Sequence, residues 1–188
     1  MHQRNAGARG TALERGHRRA VASYDVFVRS RVAQGVQTMA EQANAEEARV
    51  KALLEDWADA VRRHDLRAIL AHHERDMVMF DLPPPLQCKG IEAYEQTWDL
   101  FFRYHKPGTA FDFRELAVTA GADVAFAVGI MWCGPDSSSN PRDKDGFLFR
   151  LTVGLRKVDG AWRIAHEHHS VPAVMVSSRK SNAVPGLW

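Results

Sequence analysis

Cysteine is scarce in this 188-residue chain: Cys88 and Cys133 could form at most one bridge. That excludes a disulfide framework and any closely spaced zinc site, and it points to a reducing cytoplasm. Long apolar runs are missing as well. No stretch approaches the roughly 20 residues that a membrane helix needs, so a spanning segment is not expected. An excess of basic charge is absent where a nucleic-acid surface would need it. The formal net charge of +2 conceals an asymmetry, because residues 1–38 hold seven arginines against Glu14 and Asp25, whereas residues 39–188 hold 18 basic and 21 acidic groups. The larger part is therefore mildly acidic, which excludes the electrostatic footprint of a nucleic-acid binder. The polar run "DSSSNPRDKDG" lacks the twelve-residue calcium spacing and is expected to be a solvated loop.

What remains is ordinary for a globular protein, with 45% hydrophobic and 26% charged residues, and the length suits one domain. The Gly-, Arg- and Ala-rich leader has no long apolar core, so it is no secretory signal. It reads as a disordered or partly helical extension over 1–44, with a transit peptide, or an upstream start codon ahead of a working protein that begins near Met39, as alternatives. From residue 45 the pattern sharpens. Val50, Leu53, Leu54, Trp57, Ala58 and Val61 recur at helical spacing, and Asp65 can cap a second, short helix carrying Leu66, Ile69 and Leu70. "MVMF" (77–80) reads as a strand stopped by "DLPPPL". A third striped helix carries Ile91, Tyr94, Trp98, Phe101, Phe102 and His105, and "KPG" (106–108) ends it.

Strands are expected over 110–118, 123–133, 147–158 and 161–171, the last two joined by the hairpin signal Asp159-Gly160. Helices followed by antiparallel strands give an α+β domain over 45–175, a curved sheet wrapped around three helices as a cone with an internal pocket. Residues 176–188 are left as a tail.

Four segments carry a resemblance: "VKALLEDWADAVRRHD", "LRAILAHHERDMVMFD", "KGIEAYEQTWDLFF" and "RLTVGLRKVDGAWRIAHEHHS". With them the chain resembles the nuclear transport factor 2-like superfamily, in particular its ketosteroid-isomerase-like and polyketide-cyclase-like (SnoaL-like) branches. The closing hairpin and His-x-His-x-Ser also resemble the association domain of calcium/calmodulin-dependent kinases. The resemblance implies the cone fold and a small-molecule pocket, and leaves the activity open among isomerases, cyclases, dehydratases and oligomerisation domains.

It also implies a proton-abstracting carboxylate after the first strand, which falls on Asp81. The remaining isomerase donors are not matched: Trp57 stands at the helix position of the tyrosine, and no carboxylate lies near Thr152–Gly154, in contrast to the isomerase site. Strict alternation along the last strand puts Trp162, Ile164, His166 and His168 on one face and Glu167 and His169 on the other. With the outer face implied as a homodimer surface, Trp162 and Ile164 are expected outward and Glu167 and His169 inward. The expected site thus combines catalytic Asp81, His169 and Glu167 with substrate-binding Arg150, Thr152, Trp57, Trp98 and Phe102. Arg150 either clamps an anionic oxygen or pairs with Glu167 as a buried ion pair. The three aromatics are core residues first and pocket walls second. A metal is not expected: His166 and His168 share a strand face, but no further ligand spacing supports them, and His72 and His73 diverge if helical. No cofactor is called for. The partners expected are a small apolar or carbonyl-containing molecule and a second copy.

Overall fold

A computed structural model of the chain describes residues 12–135 and 146–173. Most of the polar loop and the tail expected from the sequence lie outside the described residues. The chain divides into two compact units, Met1–Glu46 and Glu47–Trp188. Helix α1 runs from Ala12 to Arg62. In the first unit its side chains from Arg29 to Gln42 are exposed. Helix therefore extends well before residue 45. A glycine in a helix interior costs about 1 kcal/mol relative to alanine, so Gly35 does not break so long an element.

The second unit follows the expected order. Helix α2 is Leu66–Leu70, and the Asp65 carboxylate accepts from the Ala68 amide at 3.0 Å as its cap. Strand β1 spans His73–Phe80, β2 Cys88–Lys89, and helix α3 Ile91–Tyr104. The long strands are β3 (Ala110–Ala120), β4 (Val124–Gly134), β5 (Phe147–Val158) and β6 (Ala161–Ser170). They form one sheet in the order β2-β1-β6-β5-β4-β3, with β1 parallel to β6 and the other neighbours antiparallel. Asp159 and Gly160 both take positive φ, 50° and 77°, as the two-residue hairpin turn requires.

Strand β1 begins earlier than its apolar run suggests. His73 belongs to the strand, so the expectation of His72 and His73 on one helix is corrected. Gly90 sits at φ 85°, donates to the Met77 carbonyl at 2.8 Å and starts α3, so a left-handed residue turns the chain from β2 into the helix.

The core lies between one sheet face and the helices. Val50, Leu54 and Trp57 of α1 pack there with Tyr94 and Trp98 of α3 and with Phe149, Leu151, Val153 and Leu155 of β5. Strand β6 contains a departure from strict alternation. Leu155 pairs with Ile164 but Gly154 pairs with His166, so Ala165 is an extra residue on β6. A bulge of this kind resets the side-chain parity. Trp162 and Ile164 before it, and Glu167 and His169 after it, therefore all turn inward. The expected outward placement of Trp162 and Ile164 is wrong for that reason: they are 6% and 0% exposed.

Two changes separate burial from register. Ile164→Ala should cost about 2–5 kcal/mol as a buried truncation. Deleting Ala165 forces one of the two inward pairs out of the core and should cost more than Ile164→Ala. Urea midpoints of the two variants measure this, and equal losses would count against the bulge as the register-setting element.

Candidate functional site

Parallel pairing of β1 with β6 builds the site. Met79 is level with Glu167 and Phe80 with His168, so Asp81, one residue beyond β1, comes level with His169. Residues 88 positions apart in sequence are thereby placed side by side. The His169 ring packs at 5.4 Å from Phe149 of β5 and keeps only 12% of its side chain exposed; Asp81 keeps 20% and Glu167 1%.

His169 bridges two carboxylates. Its Nδ1 lies 3.0 Å from Asp81 Oδ1, and its Nε2 lies 3.3 Å from Glu167 Oε2. Asp81 Oδ1 also accepts from the Leu82 amide at 2.8 Å. A neutral imidazole can donate from one nitrogen only, whereas the imidazolium can donate to both carboxylates. Burial works against that charge, but the hydrogen bond to Asp81 and the close negative charges of Glu167 and Asp81 outweigh it, and the His169 pKa rises to about 9. The ring is therefore a protonated acid at neutral pH.

Glu167 is the buried anchor. Its Oε1 accepts from the Tyr94 hydroxyl at 3.0 Å and from His73 Nε2 at 2.6 Å. Burial pushes this carboxyl up, yet the close contact with His169, the hydrogen bond from His73 and the nearby imidazole charge hold it down, to about 2. Tyr94 in turn accepts from Trp57 Nε1 at 3.3 Å, and its ring lies 4.5 Å from that of His73. Burial first, and the Glu167 charge second, push the Tyr94 phenol well above its ordinary range, so it stays a neutral donor.

Glu167 Oε2 and His169 Nε2 face one another without hydrogen-bond alignment, and neither has another hydrogen-bond partner among the described residues; the same holds for His73 Nδ1 and Trp98 Nε1. Buried polar atoms left in this condition are costly unless something else meets them.

The structure brings Asp81, Glu167 and His169 together, with Trp57 joined to them through Tyr94. Trp98 packs edge-on against Trp57 at 6.5 Å, and half-buried Phe102 lies 5.6 Å from Trp98. Arg150 and Thr152 are not brought in. They are exposed on the opposite sheet face, because the inward residues of β5 are Phe149, Leu151, Val153 and Leu155. Both expected roles of Arg150, as oxygen clamp and as partner of Glu167, are corrected; the cation beside Glu167 is His169. Sequence reasoning missed Tyr94 and His73. The signal for Tyr94 was a phenol amid an apolar helix stripe, a group that needs a partner when buried. Among the described residues there is no cluster of three or more metal-ligating side chains, and no helix is long and apolar enough to cross a membrane.

This fold sits in a known family. The SnoaL-like domain matches residues 50–174, and the chain belongs to that family. Solved structures agree. An NTF2-like protein of unknown function from Pseudomonas putida KT2440 is 34% identical, with 71% of this chain and 91% of that one covered and a TM-score of 0.64. A ketosteroid isomerase-like protein from Erwinia carotovora atroseptica shares the fold at 20% identity, with 67% of this chain and 95% of that one covered and a TM-score of 0.52. No curated protein matches the sequence. The α+β cone is thus the NTF2-like fold.

The charged pair fixes a pH profile. His169, raised from 6.5 to about 9, contributes stability that is complete below pH 6.5 and is lost as pH rises through 9. Glu167, lowered from 4.5 to about 2, contributes stability that is complete above pH 4.5 and is lost as pH falls through 2. Unfolding midpoints should therefore be highest between pH 4.5 and 6.5, and His169→Gln should flatten the alkaline limb. An alkaline limb unchanged in His169→Gln would contradict the bridged imidazolium. Glu167→Gln should cost about 3–5 kcal/mol at pH 6 in the same melts, the usual penalty for breaking a buried pair.

Proposed function

We propose that this protein is a small-molecule enzyme that transfers a proton beside a carbonyl group, in the isomerase, cyclase or dehydratase class. The observation that carries the reading is His169, held between Asp81 and Glu167 with Nε2 3.3 Å from Glu167 Oε2 but without an aligned hydrogen bond. A carbonyl oxygen placed on Nε2 would be polarised by a buried cation, which stabilises an enolate as it forms. Asp81 is the base. Both its hydrogen bonds end on Oδ1, leaving Oδ2 to accept a proton from the adjacent carbon. Glu167 is too strongly stabilised as an anion to be that base and serves to orient His169, with Tyr94 and His73 fixing its own position.

The charge balance selects the substrate. Two carboxylates and one imidazolium leave the site short of positive charge, and Arg150 is on the far face, so an anionic substrate is disfavoured. A neutral, mostly apolar ketone, enone or β-hydroxyketone fits, with Trp98 and Phe102 as apolar wall.

A second reading has its own support. The outer sheet face exposes Val124, Phe126 and Val128 of β4 by 60%, 52% and 45%, with Leu148 of β5 at 46%. These side chains share the face with exposed Arg150 and Thr152, and exposed apolar groups of this kind can serve in an interaction surface. It supports homodimerisation through the sheet, and with it the alternative of a non-catalytic ligand-binding or oligomerisation domain like the kinase association domains.

The two readings part on turnover. Loss of α-proton NMR signal in D2O, followed for a panel of cyclic ketones, enones and β-hydroxyketones, should be faster with enzyme than with buffer. Asp81→Asn should lower that rate by about 10²–10⁴, the usual contribution of a general base, with the circular dichroism spectrum unchanged. His169→Gln should lose rate comparably. No acceleration on any substrate, or full rates in both variants, would defeat the enzyme reading and leave the binding domain.

A further inference from the structure

A second pair of histidines lies apart from the Glu167 chain, and the proposed mechanism does not use it. His64 follows α1 in a left-handed conformation, with φ 55°, and His105 is the C-cap of α3. His64 Nε2 and His105 Nδ1 meet at 3.1 Å. Each ring also lies nearly flat on a phenylalanine of α3: His64 on Phe102 at 4.0 Å and 17°, His105 on Phe101 at 4.9 Å and 20°. The same two phenylalanines pack against Trp98, at 5.6 and 5.4 Å. The imidazole contact is thus a joint between the end of α1 and the aromatic wall of the proposed pocket.

Two imidazoles share such a contact only while one nitrogen carries a proton and the other a lone pair. Two neutral rings satisfy it, and so does one neutral ring beside one charged. Two imidazolium rings do not, because both facing nitrogens then carry N–H and like charges meet at close range. Burial decides which ring resists the second proton. His105 is 4% exposed, and its Nε2 is buried with no hydrogen-bond partner among the described residues. Its charged form would aim one N–H at His64 and leave the other unmet. Burial above all holds His105 below its ordinary 6.5; the carbonyls of Ala110 and Thr109 pull the other way, and the His64 charge adds to the lowering. The charged groups on the surrounding elements are Arg62, Arg63 and Asp65 beside His64, Arg103 and Lys106 beside His105, and Asp112 on β3. Arg62 pairs with Asp59 and Asp112, Arg63 pairs with Asp59, and Asp65 caps α2, so each of these carboxylates is already engaged.

We propose that His64 and His105 form a proton-operated joint that releases the aromatic wall when both rings are charged. A first proton, on the other nitrogen of half-buried His64, leaves the bond intact. The second, on His105, parts the rings. Phe101 and Phe102 then lose the flat surfaces they rest on, and that side of the pocket loosens below pH 6.5. The Asp81–His169–Glu167 chain stays formed meanwhile, because its own stability is complete down to pH 4.5. The opening concerns the contact of α1 with α3; its use as a passage for substrate rests on the enzyme reading.

NMR of the full-length chain tests the joint without any turnover. Imidazole 15N shifts report when each ring is charged, and nuclear Overhauser contacts between the rings of His64 and Phe102, and of His105 and Phe101, report whether the joint is closed. On titration downward from neutrality to pH 4.5, both contacts should be lost in one step with the charging of His105. The contact between the His73 and Tyr94 rings should persist throughout. His105→Phe keeps a ring on Phe101 that no proton can charge, so the contact of His64 with Phe102 should survive to pH 4.5. A His105 that is charged with both contacts intact overturns the joint, as does one that stays neutral to pH 4.5. Loss of the His64 contact in His105→Phe at the same pH as in the parent overturns it as well. None of these outcomes depends on α-proton exchange, so the enzyme reading stands or falls separately.

Discussion

A carboxylate with almost no access to water organises the second unit. Removing Glu167 from solvent is expensive unless every lone pair is met. The chain compensates the charge from four elements at once: His73 from β1 and Tyr94 from α3 donate to Oε1, the His169 ring of β6 itself faces Oε2 at 3.3 Å, and Trp57 of α1 acts at one remove through Tyr94. Each partner fixes a neighbour. Tyr94 can reach Glu167 only if α3 lies against the sheet at this height, and His73 only if β1 starts where it does. The same demand makes His169 a cation, which in turn needs Asp81 on its other side. The site is thus a by-product of one buried charge and of the means by which it is neutralised.

Much of the fold was legible because it rests on local periodicity. The α1 stripe, the Asp65 cap, the α3 stripe and the Asp159-Gly160 turn are set by neighbours in sequence, and each was readable from spacing alone. The inward positions of Glu167 and His169 were also reached, but by an alternation that could not hold Trp162 and Ile164 inside as well. One extra residue, Ala165, decides that question, and nothing in the composition of a bulge announces it. Arg150 was misplaced by a related assumption. Its strand alternates faithfully; the error lay in letting a polar set, Arg150 and Thr152, follow Glu167 inward, when the cross-strand pairs of Glu167 and His169 are Val153 and Leu151.

His73 and Tyr94 were hidden for a different reason. His73 looks helical beside His72 and becomes a strand residue through pairing with Ile164, a contact 91 positions away. Tyr94 sits on a stripe that packs as apolar residues do, and its hydroxyl acquires meaning only from a partner on β6. Long-range partners of polar groups leave almost no trace in local pattern, whereas apolar faces leave a clear one.

The place of β6 in the sheet has a consequence for biosynthesis. It is the last described strand in the chain yet lies third in the sheet, between β1 and β5. Until it emerges from the ribosome, the nascent chain can form a β1–β2 pair and a β3–β4–β5 meander with no ladder between them. Both facing edges, one on β1 and one on β5, then offer unpaired amides and carbonyls next to apolar residues such as Met77, Met79, Leu151 and Val153. That is the condition under which strands join the wrong partner. A ribosome that stalls before Ala161 is translated therefore releases not a slightly shortened protein but two open half-sheets, and quality control has a clear physical signal to act on.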